Sequence, residues 1–111
     1  MDIAETGVSL ADWVCLVENE SSFNTNALNS RNRNGSKDYG LFQINSYYWC
    51  IDGGVNTANG CNINCEELYE VDAAVSCAKR VVQDRNGIRA WMAWVDHCDR
   101  DLSNFLDGCE V

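Results

Sequence analysis

An α+β fold is predicted by three observations: helical periodicity toward both ends of the chain, an Asn-Gly turn with an aromatic run between them, and seven cysteines in 111 residues. The helical stripes belong to one lobe and the short hairpin to its own. The length suits a single domain over 1–111, and 46% hydrophobic residues with four tryptophans supply a core and argue against disorder.

Ser9 ahead of an apolar-periodic run, with Asp12 three residues on, predicts a capped helix start with an acidic first turn, and the helix should end near Ser22. From Asn24 to Ser36 the chain is almost wholly polar, and Asn34-Gly35 is a strong hairpin signal because both residues tolerate positive φ. The run Lys37 to Cys50 mixes aromatic and β-branched residues with Asp38, Gln43 and Asn45. Strict alternation puts Asp38 and Gln43 on opposite faces, so both can line one cleft only if the chain bends at Gly40. The stretch after Cys50 lacks a core pattern and needs stapling. Asp72 opens a helix in which Ala74, Val75, Ala78, Val81 and Val82 keep helical spacing, with Asn86-Gly87 as its stop. Trp91, Trp94, Val95 and Cys98 repeat the spacing in a shorter helix, and Leu102, Phe105, Leu106 and Cys109 do so again.

Seventeen acids against eight bases give a net charge of -9, which argues against holding nucleic acid or an anionic membrane by charge. No apolar run is long enough to span a bilayer, and Met1 to Thr6 lacks the features of a signal peptide. The cysteine count points to an oxidising compartment and a disulfide framework with one thiol left over. Cys61 and Cys65 are spaced as a zinc half-site, but no second close pair follows, so no metal is expected. The only histidine, His97, reads as a surface residue, which removes Ser-His and Cys-His hydrolase schemes.

One acid stands out. On a helix, Trp13, Leu16, Val17 and Phe23 share a face, and Glu20 falls inside it while Glu18 falls on the far side. A carboxyl on an apolar stripe is costly to charge, so its pKa should rise and it should hold a proton near neutrality, as a general acid must. The alternative is an acid at the margin of the stripe that reaches water, the common state of helical glutamates.

The motifs WVCLVENESSFNT at Trp13 to Thr25, NGSKDYGLFQINSYYWC at Asn34 to Cys50, CNINC at Cys61 to Cys65, CAKRVV at Cys77 to Val82 and AWMAWVDHC at Ala90 to Cys98 resemble the C-type lysozyme family, in order and at nearly family spacing. The resemblance implies a helical lobe and a small antiparallel sheet lobe with a cleft between them. Glu20 matches the family's proton donor and Asp38 its second carboxylate, a pairing for which lysozyme is the type case. Trp91 matches the packing partner that keeps Glu20 protonated, while Asp38, among Asn32, Asn34, Ser36 and Asn45, would stay ionised. Tyr48, Trp49 and Trp91 would offer platforms for sugar rings, and Gln43, Asn45, Asn32, Asp84 and the Ala90 backbone match cleft positions. Tyr48 departs from the tryptophan common at its place.

By the same resemblance, disulfides Cys15 with Cys98, Cys50 with Cys65, and Cys61 with Cys77 are implied. The family's first cysteine, which pairs with the one matching Cys109, lies in an N-terminal helix ahead of this chain's start. The resemblance therefore implies an N-terminally shortened domain, with Cys109 unpaired and the segment Leu102 to Val111 short of a packing partner. Calcium-binding members carry paired aspartates where Ala73 and Ala74 stand, so neither a calcium site nor any cofactor is expected. The implied activity is a secreted muramidase acting as a monomer on bacterial peptidoglycan or chitooligosaccharides, in antibacterial defence or digestion, with a lysozyme-shaped saccharide-binding protein as the alternative. The acidic net charge favours action under mildly acidic conditions.

Overall fold

A computed structural model describes residues 7–53 and 57–99, and the predicted last stripe with Cys109 lies outside them. Helix α1 runs Leu10–Ser21, and its Ser9 cap accepts from the Asp12 amide at 3.1 Å. Ser9, Asp12 and the helix start thus behave as the sequence indicates. Trp13, Cys15, Leu16 and Val17 form the buried face. Phe23 corrects the expected stripe: Ser22 and Phe23 both turn left-handed (φ 53° and 64°), which carries Phe23 off the helix and leaves it 54% exposed.

Three two-residue strands, β1 (Leu28–Asn29), β2 (Asp38–Tyr39) and β3 (Ile44–Asn45), form an antiparallel sheet in the order β1-β2-β3. The Asn34-Gly35 turn does join β1 to β2, but not as a two-residue loop. Only Gly35 of the pair has positive φ, and the pairing is Asn29 with Asp38 and Leu28 with Tyr39, two residues away from the register such a loop would set. β2 and β3 are joined through Gly40–Gln43, with φ of 76° at Gly40 and 48° at Gln43. The chain bends at Gly40 as required. It also packs there: the Gly40 amide donates to the Ala27 carbonyl at 2.8 Å, and a Cβ at this position would overlap the Leu68 carbonyl oxygen.

Beyond β3 a single parallel bridge pairs Ile51 with Asn64, and a 3-10 helix at Cys65–Tyr69 leads into α2 (Val71–Val82). Helix α2 buries Ala74, Val75, Cys77, Ala78 and Val81 but stops before Asn86-Gly87. A turn from Gln83 intervenes, with the Asp84 amide donating to the Val81 carbonyl, and Gly87 instead opens a 3-10 helix to Ala90. Helix α3 (Met92–His97) is capped at its ends by Trp91 and Cys98, which are buried, while Trp94 and Val95 are half-buried. His97 is exposed on the surface. Among the described residues no helix is long and apolar enough to cross a membrane.

All three implied disulfides are present, with Cα–Cα separations of 6.0 Å for Cys15–Cys98, 5.0 Å for Cys50–Cys65 and 5.3 Å for Cys61–Cys77. The first ties α1 to the end of α3. The other two staple the stretch between the sheet and α2. Helix and sheet meet at an aromatic trio: Trp13 lies edge-on to Phe42 at 5.6 Å and to Trp91 at 6.1 Å, and the Trp91 indole donates to the Phe42 carbonyl at 2.7 Å. Because Phe42 sits in the Gly40–Gln43 connection, this contact fixes the sheet against α1 and so sets Asp38 relative to Glu20.

Candidate active site

A cleft of about 590 Å³ opens between these parts, lined by Glu20 from α1, Asp38 and Asn45 from the sheet, and Ala90 and Trp91 ahead of α3. That volume is in the range of small-ligand sites. Glu20 stands near the end of α1, one turn past the buried Leu16 and Val17. Burial pushes its carboxyl from the usual 4.5 up to about 7, and the negative charge of Asp38 adds to the rise. No cation among the described residues pairs with it. A carboxyl raised this far keeps its proton closer to neutrality, which is what a general acid requires.

Asp38 has the opposite setting. Its Oδ2 accepts from Asn29 and Asn32 side-chain amides, each at 3.1 Å, and its Oδ1 accepts from Asn45 at 2.9 Å. Every described hydrogen bond at this group is received, the pattern of a carboxylate and not of a carboxylic acid. Ser36, 1% exposed, braces the donors: its Oγ accepts from Asn45 at 2.9 Å and Asn32 at 3.4 Å and donates to Asn34 Oδ1 at 2.5 Å. Asn34 and Ser36, expected around Asp38, therefore act through Asn32 and Asn45 and do not touch it.

The sequence does not single out Asn29. Two-residue strands give no alternation to read, and an Asn34-Gly35 loop of two residues would have put Arg31 opposite Asp38. Asn32, Gln43, Asn45, Tyr48, Trp49, Ala90 and Trp91 all line the cleft, together with Ile44, Val81, Met92 and Ala93. Asp84 does not. It sits exposed in the turn after α2, so among the expected residues it is the one the fold leaves outside the cleft walls. Gln43 donates to the Ala27 and Gly40 carbonyls at 3.2 and 3.0 Å, which ties its amide nitrogen to the loop and leaves its oxygen for a ligand.

The expected platforms divide. Tyr48 is 55% exposed and offers a ring face, and Trp49 is half-buried with the Arg80 guanidinium 5.7 Å from its ring centre. Trp91, only 6% exposed and packed on Trp13 and Phe42, is a wall of the cleft and not a stacking surface.

A carboxyl whose pKa is raised and an amide-bound carboxylate lining one cleft is the arrangement by which glycoside hydrolases work. Comparison with known proteins agrees. The family model described as C-type lysozyme/alpha-lactalbumin matches residues 1–109. Lysozyme C of Equus asinus is 55% identical over 108 residues, covering 95% of this chain and 84% of that protein. Lysozyme C of Takifugu rubripes is 58% identical over 106 residues, covering 93% and 73%. The crystal structure of the Equus asinus lysozyme superposes with a TM-score of 0.89 at 54% identity over 96% of this chain and 84% of that one. The chain belongs to the C-type lysozyme/alpha-lactalbumin family, and its function is of the lysozyme type, that of a glycoside hydrolase.

Proposed function

We propose that the protein hydrolyses the β-1,4 bond between N-acetylmuramic acid and N-acetylglucosamine in bacterial peptidoglycan, and chitooligosaccharides as a second substrate. The observation that carries this reading is the pair of carboxyls in one cleft: Glu20, pushed up to about 7 by burial and by Asp38, beside an Asp38 that only accepts hydrogen bonds. Glu20 donates its proton to the departing glycosidic oxygen. Asp38 meets the positive charge that develops at the sugar carbon, and water completes the reaction after Glu20 has become the base. Retention of configuration is part of the proposal, since lysozyme is the type case of that two-carboxylate scheme. Exposed Tyr48 and the amides of Asn32, Gln43 and Asn45 bind ring faces and acetamido or hydroxyl groups.

The protein acts as a single domain and a monomer outside the cell, where its three disulfides are stable, and engages neither nucleic acid nor membrane. With a net charge of -9 it works best on anionic walls at mildly acidic pH. The test is a zymogram on bacterial cell wall, with the anomer of the first-formed chitooligosaccharide product read by proton NMR. Clearing by the parent, none by Glu20→Gln, and a β-anomer support the reading. Binding of saccharide without hydrolysis by the parent would make it a lysozyme-shaped binding protein instead, and an α-anomer would replace retention by inversion.

A further inference from the structure

Next to Tyr48 at the cleft mouth stands a second exposed ring. Tyr47 is 43% exposed, and its ring centre lies 4.8 Å from that of Tyr48 at 71° between planes, so the two meet edge to face. Tyr48 lines the cleft and Tyr47 does not. The backbone under them is held firmly: the Tyr47 amide donates to Asn45 Oδ1 at 2.8 Å, the Ala58 amide donates to the Tyr47 carbonyl at 3.1 Å, and the Gly60 amide to the Tyr48 carbonyl at 2.8 Å. Asn45 is also the residue whose amide donates to Asp38. One asparagine side chain thus connects the catalytic carboxylate to the start of the aromatic pair.

We propose that Tyr47 is a positioning residue for saccharide binding, bracing the Tyr48 ring so that its open face stands ready for a sugar ring at the mouth of the cleft. The proposal rests on the saccharide-cleft reading above and names the part of the cleft that Tyr47 serves. An exposed tyrosine has several side-chain orientations, and holding it in one of them costs a ligand part of its affinity. A neighbouring ring in edge-to-face contact restricts those orientations before the ligand arrives. Tyr47 does this without a place in the cleft wall, so its effect passes through Tyr48 and reaches only sugars that touch Tyr48. Chemistry at Glu20 and Asp38 is not involved.

The experiment is a double-mutant cycle between Tyr47 and Tyr48, read both as KM and kcat on a soluble chitooligosaccharide and as calorimetric affinity for chitotriose, which needs no turnover. Tyr47→Ala is expected to raise KM and weaken chitotriose binding by about two- to tenfold, the range of one aromatic pair, with kcat unchanged. Tyr47→Phe keeps the ring edge and restores the parent values. In a Tyr48→Ala background Tyr47→Ala has no further effect. Equal losses in both backgrounds would show that Tyr47 touches sugar itself, and unchanged affinity in Tyr47→Ala would show that it braces nothing; either result overturns the proposal. A parent that binds chitotriose but does not hydrolyse sinks the muramidase reading and leaves this one standing, because the calorimetric cycle is still read.

Discussion

The two walls of the cleft treat the same functional group in opposite ways. On the helical wall, Glu20 follows an apolar face and is surrounded by burial without a cationic partner, so its charged form is penalised. On the sheet wall, Asp38 meets three amide donors, two of them, Asn32 and Asn45, held by Ser36, so the group is handled as an acceptor. The difference teaches that acid and carboxylate roles are assigned by secondary structure. A helix end can carry a carboxyl past its own buried stripe, whereas a short antiparallel sheet brings side chains from neighbouring strands alongside a central residue. Asn29 and Asn45 are Asp38's own cross-strand partners.

Glu20→Gln breaks the comparison most severely. It removes the acid of the pair whose pKa burial raises, and is expected to lower kcat/KM by about a hundredfold to ten-thousandfold on a soluble chitooligosaccharide. A parent-like rate would end the assignment. The same variant tests the helical wall's energetics. In the unfolded chain Glu20 loses its proton near 4.5, and in the folded chain near 7, so between those values the folded state holds more protons and stability falls as pH rises. Glutamine removes this loss. Melting temperatures of parent and variant should agree below pH 4.5, and the variant should melt higher above pH 7; a gap of the opposite sign would mean that the ionised acid is stabilised in the fold.

Asp38→Asn is expected to cost about a hundredfold, the scale of removing a preorganised charge from the reacting centre. It also separates the two causes of Glu20's rise. With the Asp38 charge gone, Glu20 should titrate below about 7 yet stay above 4.5, because burial is the larger cause. Carboxyl-carbon NMR titration reads this directly. A value that returned to 4.5 would make the neighbouring charge dominant, and an unchanged one would uncouple the walls.

Much of this contrast is legible in the sequence, and unevenly so. Glu20's place beside Trp13, Leu16 and Val17 follows from helical spacing alone, whereas Asp38's place as the second carboxylate rests on the resemblance to the C-type lysozyme family. Periodicity puts Phe23 on the same stripe because it does not announce the left-handed residues Ser22 and Phe23 that end the helix. Asn86-Gly87 looks like a helix stop, so the sequence places the end of α2 late, whereas the chain leaves the helix at Gln83. On the sheet wall the limits are stricter. The donors around Asp38 depend on strand register, and strands of two residues carry no pattern from which register can be read.

Gly40→Ala perturbs the sheet wall without touching a carboxyl. The position has φ of 76° and faces the Leu68 carbonyl, so a methyl group there is strained twice, at a cost of about 1–3 kcal/mol. The melting temperature is expected to fall by about 5 °C or more. Glu20, on the other wall, should still titrate near 7. A variant as stable as the parent would show that the β2–β3 connection tolerates another turn.

The smallest effect tests the register itself. Asn29 is one of three donors to Asp38 and is paired with it across β1 and β2, whereas a two-residue Asn34-Gly35 loop would have given that place to Arg31. Removing one of several amide donors to a charged acceptor costs roughly 1–2 kcal/mol if nothing replaces it, or about five- to thirtyfold in rate if the donor serves mainly the reacting state. Asn32 and Asn45 remain, so Asn29→Ala should fall at the low end, about fivefold in kcat. Arg31 is exposed and makes no ion pair among the described residues, so Arg31→Ala should change kcat on a neutral chitooligosaccharide by less than about twofold. The two variants are best compared at moderate salt, where the lost arginine charge acts weakly at a distance. A larger loss for Arg31→Ala than for Asn29→Ala would mean that β1 pairs with β2 two residues away from the register described, with the guanidinium and not the amide facing Asp38.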